Sequence, residues 1–247
     1  MEKKSQFEID LSAPAYLTVL TRLHTLLRPE TYLEVGTRHG DSLRLAQCAS
    51  IAVDPGFAIT ADILGKKPSC HLYQTTSDRF FEKVNVAQVL GGSVEFAYLD
   101  GMHLAEFLLR DFTNTELVSK PNSVIIMHDC MPSDFNITCR HEGAELRKQS
   151  RYAAWWTGDV WKAIWALKKH RPDLKVVAID SPPTGLICVT NLDPASRILK
   201  DNYAGIVGDM AMLEDTDDTL QDYLTSLRPI KPSRISTFEQ VSEYFHV

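Results

Sequence analysis

The chain has 247 residues, 44% of them hydrophobic and 23% charged, with a formal net charge of −6. That supports one large α/β domain with a substantial core, and the acidic balance weighs against a nucleic-acid surface, which carries a basic stripe. No apolar run approaches the ~20 residues that span a bilayer, and the charged start, Met1 to Glu8, lacks the apolar stretch of a signal peptide. The five cysteines form no Cys-x-x-Cys pair, so the expectation is a cytoplasmic protein with reduced thiols and no membrane partner.

Residues 1–29 form an N-terminal helical segment, with helical spacing over 13–28 through Tyr16, Leu17, Val19, Leu20, Leu23, Leu26 and Leu27. A first strand at 31–35 runs into Gly36-Thr37-Arg38-His39-Gly40. A helix is expected after Gly40, with Asp41 and Ser42 as caps and Leu43, Leu45 and Ala46 as its apolar face. A second strand, 50–54, ends in Asp54-Pro55-Gly56. A third, 71–75, ends in Thr76-Ser77-Asp78, and a helix begins near Arg79. The fourth strand, 94–99, ends in Asp100-Gly101-Met102-His103, before a helix to Val118 with Leu104, Phe107, Leu108 and Phe112 inward.

The fifth strand, 123–127, is β-branched and apolar, as a buried central strand should be, and ends in His128-Asp129. Residues 130–157 are polar, broken by Pro132 and Gly143, and close on Trp155-Trp156; they read as an acceptor loop or lid. A helix over 159–170 stops at Pro172, and 174–180 with 185–190 read as an antiparallel strand pair. The alternation gives a Rossmann-like, doubly wound α/β sheet of seven strands, mostly parallel with an antiparallel last strand. The domain occupies 1–190. Residues 191–247 are a charge-rich appendage with a helix at 214–226, suited to packing or to a homodimer contact.

Polar residues cluster at the strand ends: Glu34, Asp54, Ser77-Asp78, Asp100 with His103, and His128-Asp129. In an open parallel sheet that edge binds ligands. Arg38 stands where G-x-G-x-x-G places its second glycine, so the first turn is poorly shaped for NAD or FAD, and no phosphate loop of the G-x-x-x-x-G-K-[ST] type is present. The glycines also fit an ordinary turn that needs positive φ.

Asp100, His103, His128 and Asp129 bring two carboxylates and two imidazoles to neighbouring strand ends. Carboxylates suit Mg²⁺ or another hard divalent cation, imidazoles softer metals, and a cation there would lower the pKa of a substrate hydroxyl. Alternatively His103 or His128 takes the proton directly. Plainer readings are a core histidine at 128, a loop cap at Asp129 and a residue of a helix start at His103. Trp161 and Trp165, four apart, read as core; of Trp155 and Trp156, one is free to line a pocket.

The Glu34-x-Gly36-x-x-x-Gly40 spacing resembles motif I of class I S-adenosylmethionine-dependent methyltransferases. The resemblance implies that Glu34, Gly36, Thr37 and Gly40 shape a loop at the amino-acid end of S-adenosyl-L-methionine and that Asp54, beside Pro55, takes the ribose hydroxyls. It also brings Ser77, Asp78, Asp100 and His103 to the cofactor, with Asp78 near the adenine. Asp100-Gly101-Met102-His103, His128-Asp129 and Thr157-Gly158-Asp159-Val160-Trp161-Lys162 are similar to the bacterial group of macrocin O-methyltransferase and cephalosporin hydroxylase-like proteins, over residues 30–190. That group carries an acidic pair after strand five, where this chain has His128. The implied activity is O-methylation of a small hydroxylated acceptor, such as a sugar or natural-product intermediate. Asp100, His103 and His128 would be catalytic, and Asp100 and Asp129 would bind a divalent cation. A metal-dependent hydroxylase or other oxidoreductase, or a catalytically silent binding subunit, are the alternatives on the same fold.

Overall fold

All seven expected strands form, in one sheet ordered β3-β2-β1-β4-β5-β7-β6. They are β1 (Thr31–Val35), β2 (Ala49–Val53), β3 (Cys70–Tyr73), β4 (Val94–Leu99), β5 (Ser119–His128), β6 (Lys175–Ile179) and β7 (Leu186–Thr190) in a computed structural model that describes residues 7–247. Residues 1–6, the charged start of the N-terminal segment, lie outside the described residues. The first five strands are parallel, and β7 inserts antiparallel between β5 and β6. The chain winds outward from β1 to β3, then returns to β4 beside β1. That reversal is the switch point at which doubly wound sheets open a crevice at their strand C-termini.

The helices are α1 (Tyr16–Leu27), α2 (Ser77–Lys83), α3 (Val86–Leu90), α4 (Ala105–Leu117), α5 (Glu145–Lys148), α6 (Trp161–His170), α7 (Ile198–Asp201), α8 (Tyr203–Ala211), α9 (Asp217–Leu227) and α10 (Phe238–Tyr244). Successive strand residues point to opposite faces, so β5 sends Ile125 and Met127 into one apolar layer and Val124 and Ile126 into the other. The first layer is closed by Phe112 of α4, Trp161 and Ile164 of α6, Met210 of α8 and Leu224 of α9. Val19, Leu20 and Leu23 of α1 close the second, together with Ile235, Val241 and Phe245.

Three local expectations are corrected. The segment after Gly40 forms only a single 3₁₀ turn, Leu43–Leu45, before β2 begins at Ala49, and Ser42 makes no side-chain cap bond to extend it. Leu43 and Ala46 are nonetheless fully buried. The fifth strand starts at Ser119 rather than 123, and its register against β4 shifts between Val94 and Phe96, bulging out the exposed residues 120–122. Beyond residue 190, α7, α8 and α10 join the helix that the pattern placed near 214–226. These residues feed both apolar layers, and Ile230 bridges to Ile179 at the β6 edge. Among the described residues no helix is long and apolar enough to cross a membrane.

Candidate functional site

The loops after β1, β2 and β4 are laced together by main-chain bonds. The Gly36 amide donates to the Val53 carbonyl at 2.9 Å, and the Asp100 amide donates to the Val35 carbonyl at 2.8 Å. Gly36 has φ +87°, and a Cβ there would stand 1.9 Å from the Asp100 carbonyl oxygen. Only glycine allows that approach. Asp54 joins the loops by its side chain: one oxygen accepts from the Arg38 amide at 2.8 Å, the other from the Gly56 amide at 2.7 Å. Glu34 lies beneath the loop, fully buried, and accepts from the Tyr32 hydroxyl. Burial pushes its carboxyl up to about 7, although the hydrogen bond from the Tyr32 hydroxyl opposes the shift.

At the ends of β4 and β5 the two acids and two imidazoles alternate in a tight group. His103 Nε2 lies 3.3 Å from Asp100 Oδ1 and 3.2 Å from Asp129 Oδ2. His128 Nδ1 lies 3.5 Å from Asp100 Oδ2 and 3.4 Å from Asp129 Oδ1. The other ring nitrogens are anchored. His103 Nδ1 is 3.1 Å from the Trp156 carbonyl, an acceptor, so that nitrogen carries a proton. The Thr184 hydroxyl donates to Asp129 at 2.6 Å and leaves its oxygen for His128 Nε2 at 3.4 Å. Tyr16 lies against His128 with ring centroids 4.2 Å apart and planes tilted by 33°.

Burial alone would lower both imidazoles, but the flanking carboxylates override it. His103 is held at about 9 and His128 at about 10. Burial would likewise raise Asp100, yet His128 and His103 keep it well below the usual carboxylate range. At neutral pH the group is therefore two imidazoliums facing carboxylates. His103 and Asp129 both have φ of 58° and Arg38 has 42°, a left-handed backbone that non-glycine residues adopt at a cost and that gathers at functional sites.

The segment 157–159 holds this geometry in place. Gly158, at φ +59°, lets the His103 carbonyl come to within 1.8 Å of where a Cβ would stand. Asp159 accepts from the Ala105 amide at 2.9 Å, capping α4, whose own N-cap residue Leu104 provides no side-chain bond. Arg140 clamps the second Asp159 oxygen and also pairs with Glu106.

Gly36, Thr37, Asp54, Pro55, Ser77, Asp78, Asp100, His103, His128 and Asp129 line one cavity of about 840 Å³. Glu34 and Gly40 do not; they support the loop from behind, where a Cβ on Gly40 would meet Ile63 at 2.5 Å. Both Trp155 and Trp156 line the cavity, the first stacked on Tyr152 at 4.8 Å and the second donating its indole N–H to the Cys139 carbonyl at 2.6 Å. Phe107, expected in the core, is a correction: it lines the cavity under the Arg110 guanidinium, 4.3 Å from its ring centroid. Tyr16, Arg38, Asp111 and Pro183 also line it without having been singled out as site residues. Only the Phe107–Asp111 spacing, one helical turn, carried a signal for any of them.

One ligand atom from each of Asp100, His103 and Asp129 lies within 4.8 Å of the others, a donor set for a divalent cation only when His103 Nε2 has lost its proton. His128 is outside that set and adds positive charge to the same carboxylates.

No protein-family model matches the chain, and no curated protein matches it. Among solved structures it is similar to the cofactor-bound protein Rv0187 from MTB, at 12% identity over 74% of this chain and 83% of that one, with a TM-score of 0.51. An O-methyltransferase from Bacillus cereus in complex with SAH aligns at 14% identity over 74% of this chain and 84% of its own, with a TM-score of 0.45. The O-methyltransferase TomG from Streptomyces achromogenes, involved in tomaymycin synthesis and in complex with SAM, aligns at 14% identity over 73% and 82%, with a TM-score of 0.47. At these identities the likeness is one of fold. The strand order and the reversed β7 give the chain a Rossmann-like methyltransferase fold.

Proposed function

We propose that the chain is an S-adenosyl-L-methionine-dependent O-methyltransferase acting on a small hydroxylated acceptor, such as a sugar or natural-product intermediate. The observation that carries this reading is the continuity of one cavity from the Gly36 and Asp54 turns to the Asp100, His103, His128 and Asp129 group. Its volume lies in the upper part of the range for small-molecule sites, room for a nucleoside donor and an acceptor together.

When bound, the donor supplies an electrophilic methyl group, and in-line displacement at carbon draws much of its rate from positioning. Each Asp54 oxygen already accepts one amide N–H and keeps a lone pair free for a ribose hydroxyl. The backbone of Gly36 and Thr37 faces the amino-acid end. At the far end Asp100 and Asp129 accept hydrogen bonds from the acceptor hydroxyl, and the adjacent imidazoliums stabilise the negative charge that develops on its oxygen. A carboxylate held as low as Asp100 is a poor base, so the hydroxyl proton goes to whichever of His103 and His128 is neutral in the reacting complex, with the carboxylates orienting it. With His103 neutral and its Nε2 free of a proton, Asp100, His103 and Asp129 would hold a divalent cation, whose Lewis acidity would lower the pKa of the hydroxyl.

The test is calorimetry with S-adenosyl-L-methionine and S-adenosylhomocysteine, followed by transfer of a labelled methyl group to a panel of hydroxylated acceptors with and without chelator. Binding of both nucleosides and label transfer to oxygen are expected. Failure of the folded protein to bind either would overturn the reading, and oxygen consumption without label transfer would favour a hydroxylase on the same fold.

A further inference from the structure

We propose that Asp111 reads the base of the bound nucleoside, its carboxyl oxygen accepting a hydrogen bond from the exocyclic amine of a 6-aminopurine; the inference rests on the methyltransferase reading above. Asp111 sits in the middle of α4, where a polar residue would ordinarily face water, yet it is 4% exposed and lines the cavity. Phe107, one turn earlier on the same helix, lines the cavity as well, so one helix face presents an aromatic ring and then a carboxyl. The Asp111 Oδ2 atom lies 3.4 Å from where a Gly101 Cβ would stand, which puts the carboxyl against the loop after β4.

The neighbouring acid is already engaged. Asp78 is gripped at both oxygens by Arg110, at 2.8 Å each, and the third guanidinium nitrogen donates to the Tyr203 hydroxyl at 2.6 Å. Asp78 is also 46% exposed, so a bond to it from a base competes with water and the guanidinium and gains less than one to the buried Asp111. Asp111 faces the Ser77 hydroxyl, and the Arg110 guanidinium, paired with Asp78, acts on it only through its charge. Burial pushes its carboxyl up to about 7. Whether neutral or ionised, it keeps an acceptor oxygen, and a buried polar group in a cavity wall needs such capacity filled. The flat, apolar surroundings given by Phe107 and Met102 suit a heteroaromatic ring, and the 6-amino group is the only N–H donor on an adenine base attached to ribose.

A purely structural Asp111, tying α2 to α4 through Ser77, would alter affinity for every ligand alike. The experiment therefore measures a preference. Calorimetry on the full chain compares S-adenosylhomocysteine with the same molecule lacking the 6-amino group, in the wild type and in the Asp111→Leu, Asp111→Asn and Asp78→Ala variants. The wild type is expected to prefer the amine roughly 10–100-fold. Asp111→Leu, or Asp111→Ala where that variant does not fold, should abolish the preference. Asp111→Asn, which retains an acceptor oxygen, should keep most of it. Equal wild-type affinity for the two ligands would overturn the inference and leave the methyltransferase reading standing. So would a preference lost in Asp78→Ala but kept in Asp111→Leu. Binding of neither ligand by the wild type would overturn both.

Discussion

Glu34 shows how a residue can matter to a site without touching its ligand. Its folded pKa of about 7 stands above the ordinary 4.5, so its stability contribution is complete below pH 4.5, falls between 4.5 and 7, and is level above that. The difference amounts to about 3 kcal/mol. Urea unfolding at pH 5 and pH 8 should show the wild type losing stability between the two, with Glu34→Gln removing about that much of the slope. Asp111 is raised in the same direction, so the slope should shrink rather than vanish. Such roles are hidden in a sequence. The apolar run ending in Glu34 was readable, but whether its carboxyl faces the cavity or the loop's underside depends on Tyr32, Thr37 and Ser42 around it.

Among the elements, α4 is held from outside. Its first free amide is capped by Asp159, 54 residues away, rather than by a neighbour in the chain. Asp159→Ala should cost about 1–2 kcal/mol, lowering the melting temperature by a few degrees, and Asp159→Asn, which keeps an acceptor, should cost less. The strands were legible because buried parallel strands are continuous apolar runs, and their polar ends marked the binding edge without any knowledge of packing. Tyr16 and Asp111 were not. Tyr16 reaches the cavity because its amide bonds to the Pro182 carbonyl, a contact that no local pattern encodes. Asp111 lies mid-helix, where a polar residue normally means solvent. The helix expected after Gly40 shrank to one turn because its capping residue does not cap: Ser42 has helical backbone angles and makes no side-chain bond to the turn.

For the molecule as a whole, residues beyond 190 close the core on both faces of the sheet. Ile206, Met210, Leu220 and Leu224 belong to one apolar layer, and Ile235, Val241 and Phe245 to the other. A chain ended at residue 190 would uncover both layers at once. Circular dichroism and thermal melting should show no cooperative transition for that truncation; a sharp transition would mean that the sheet and its remaining helices stand alone. The charge-rich appearance of this tail concealed its role, because its apolar residues are spread over several short helices.

The contact between Gly36 and the Asp100 carbonyl also bears on redesign. Because these two loops share a single packed seam, a substitution chosen to widen the acceptor end at Asp100 or Gly101 would disturb the donor end too. The tryptophan segment at 155–156 borders the cavity from outside that seam. Libraries meant to change acceptor range should therefore diversify the segment around Tyr152 and Trp155 and leave the strand-end loops as they are.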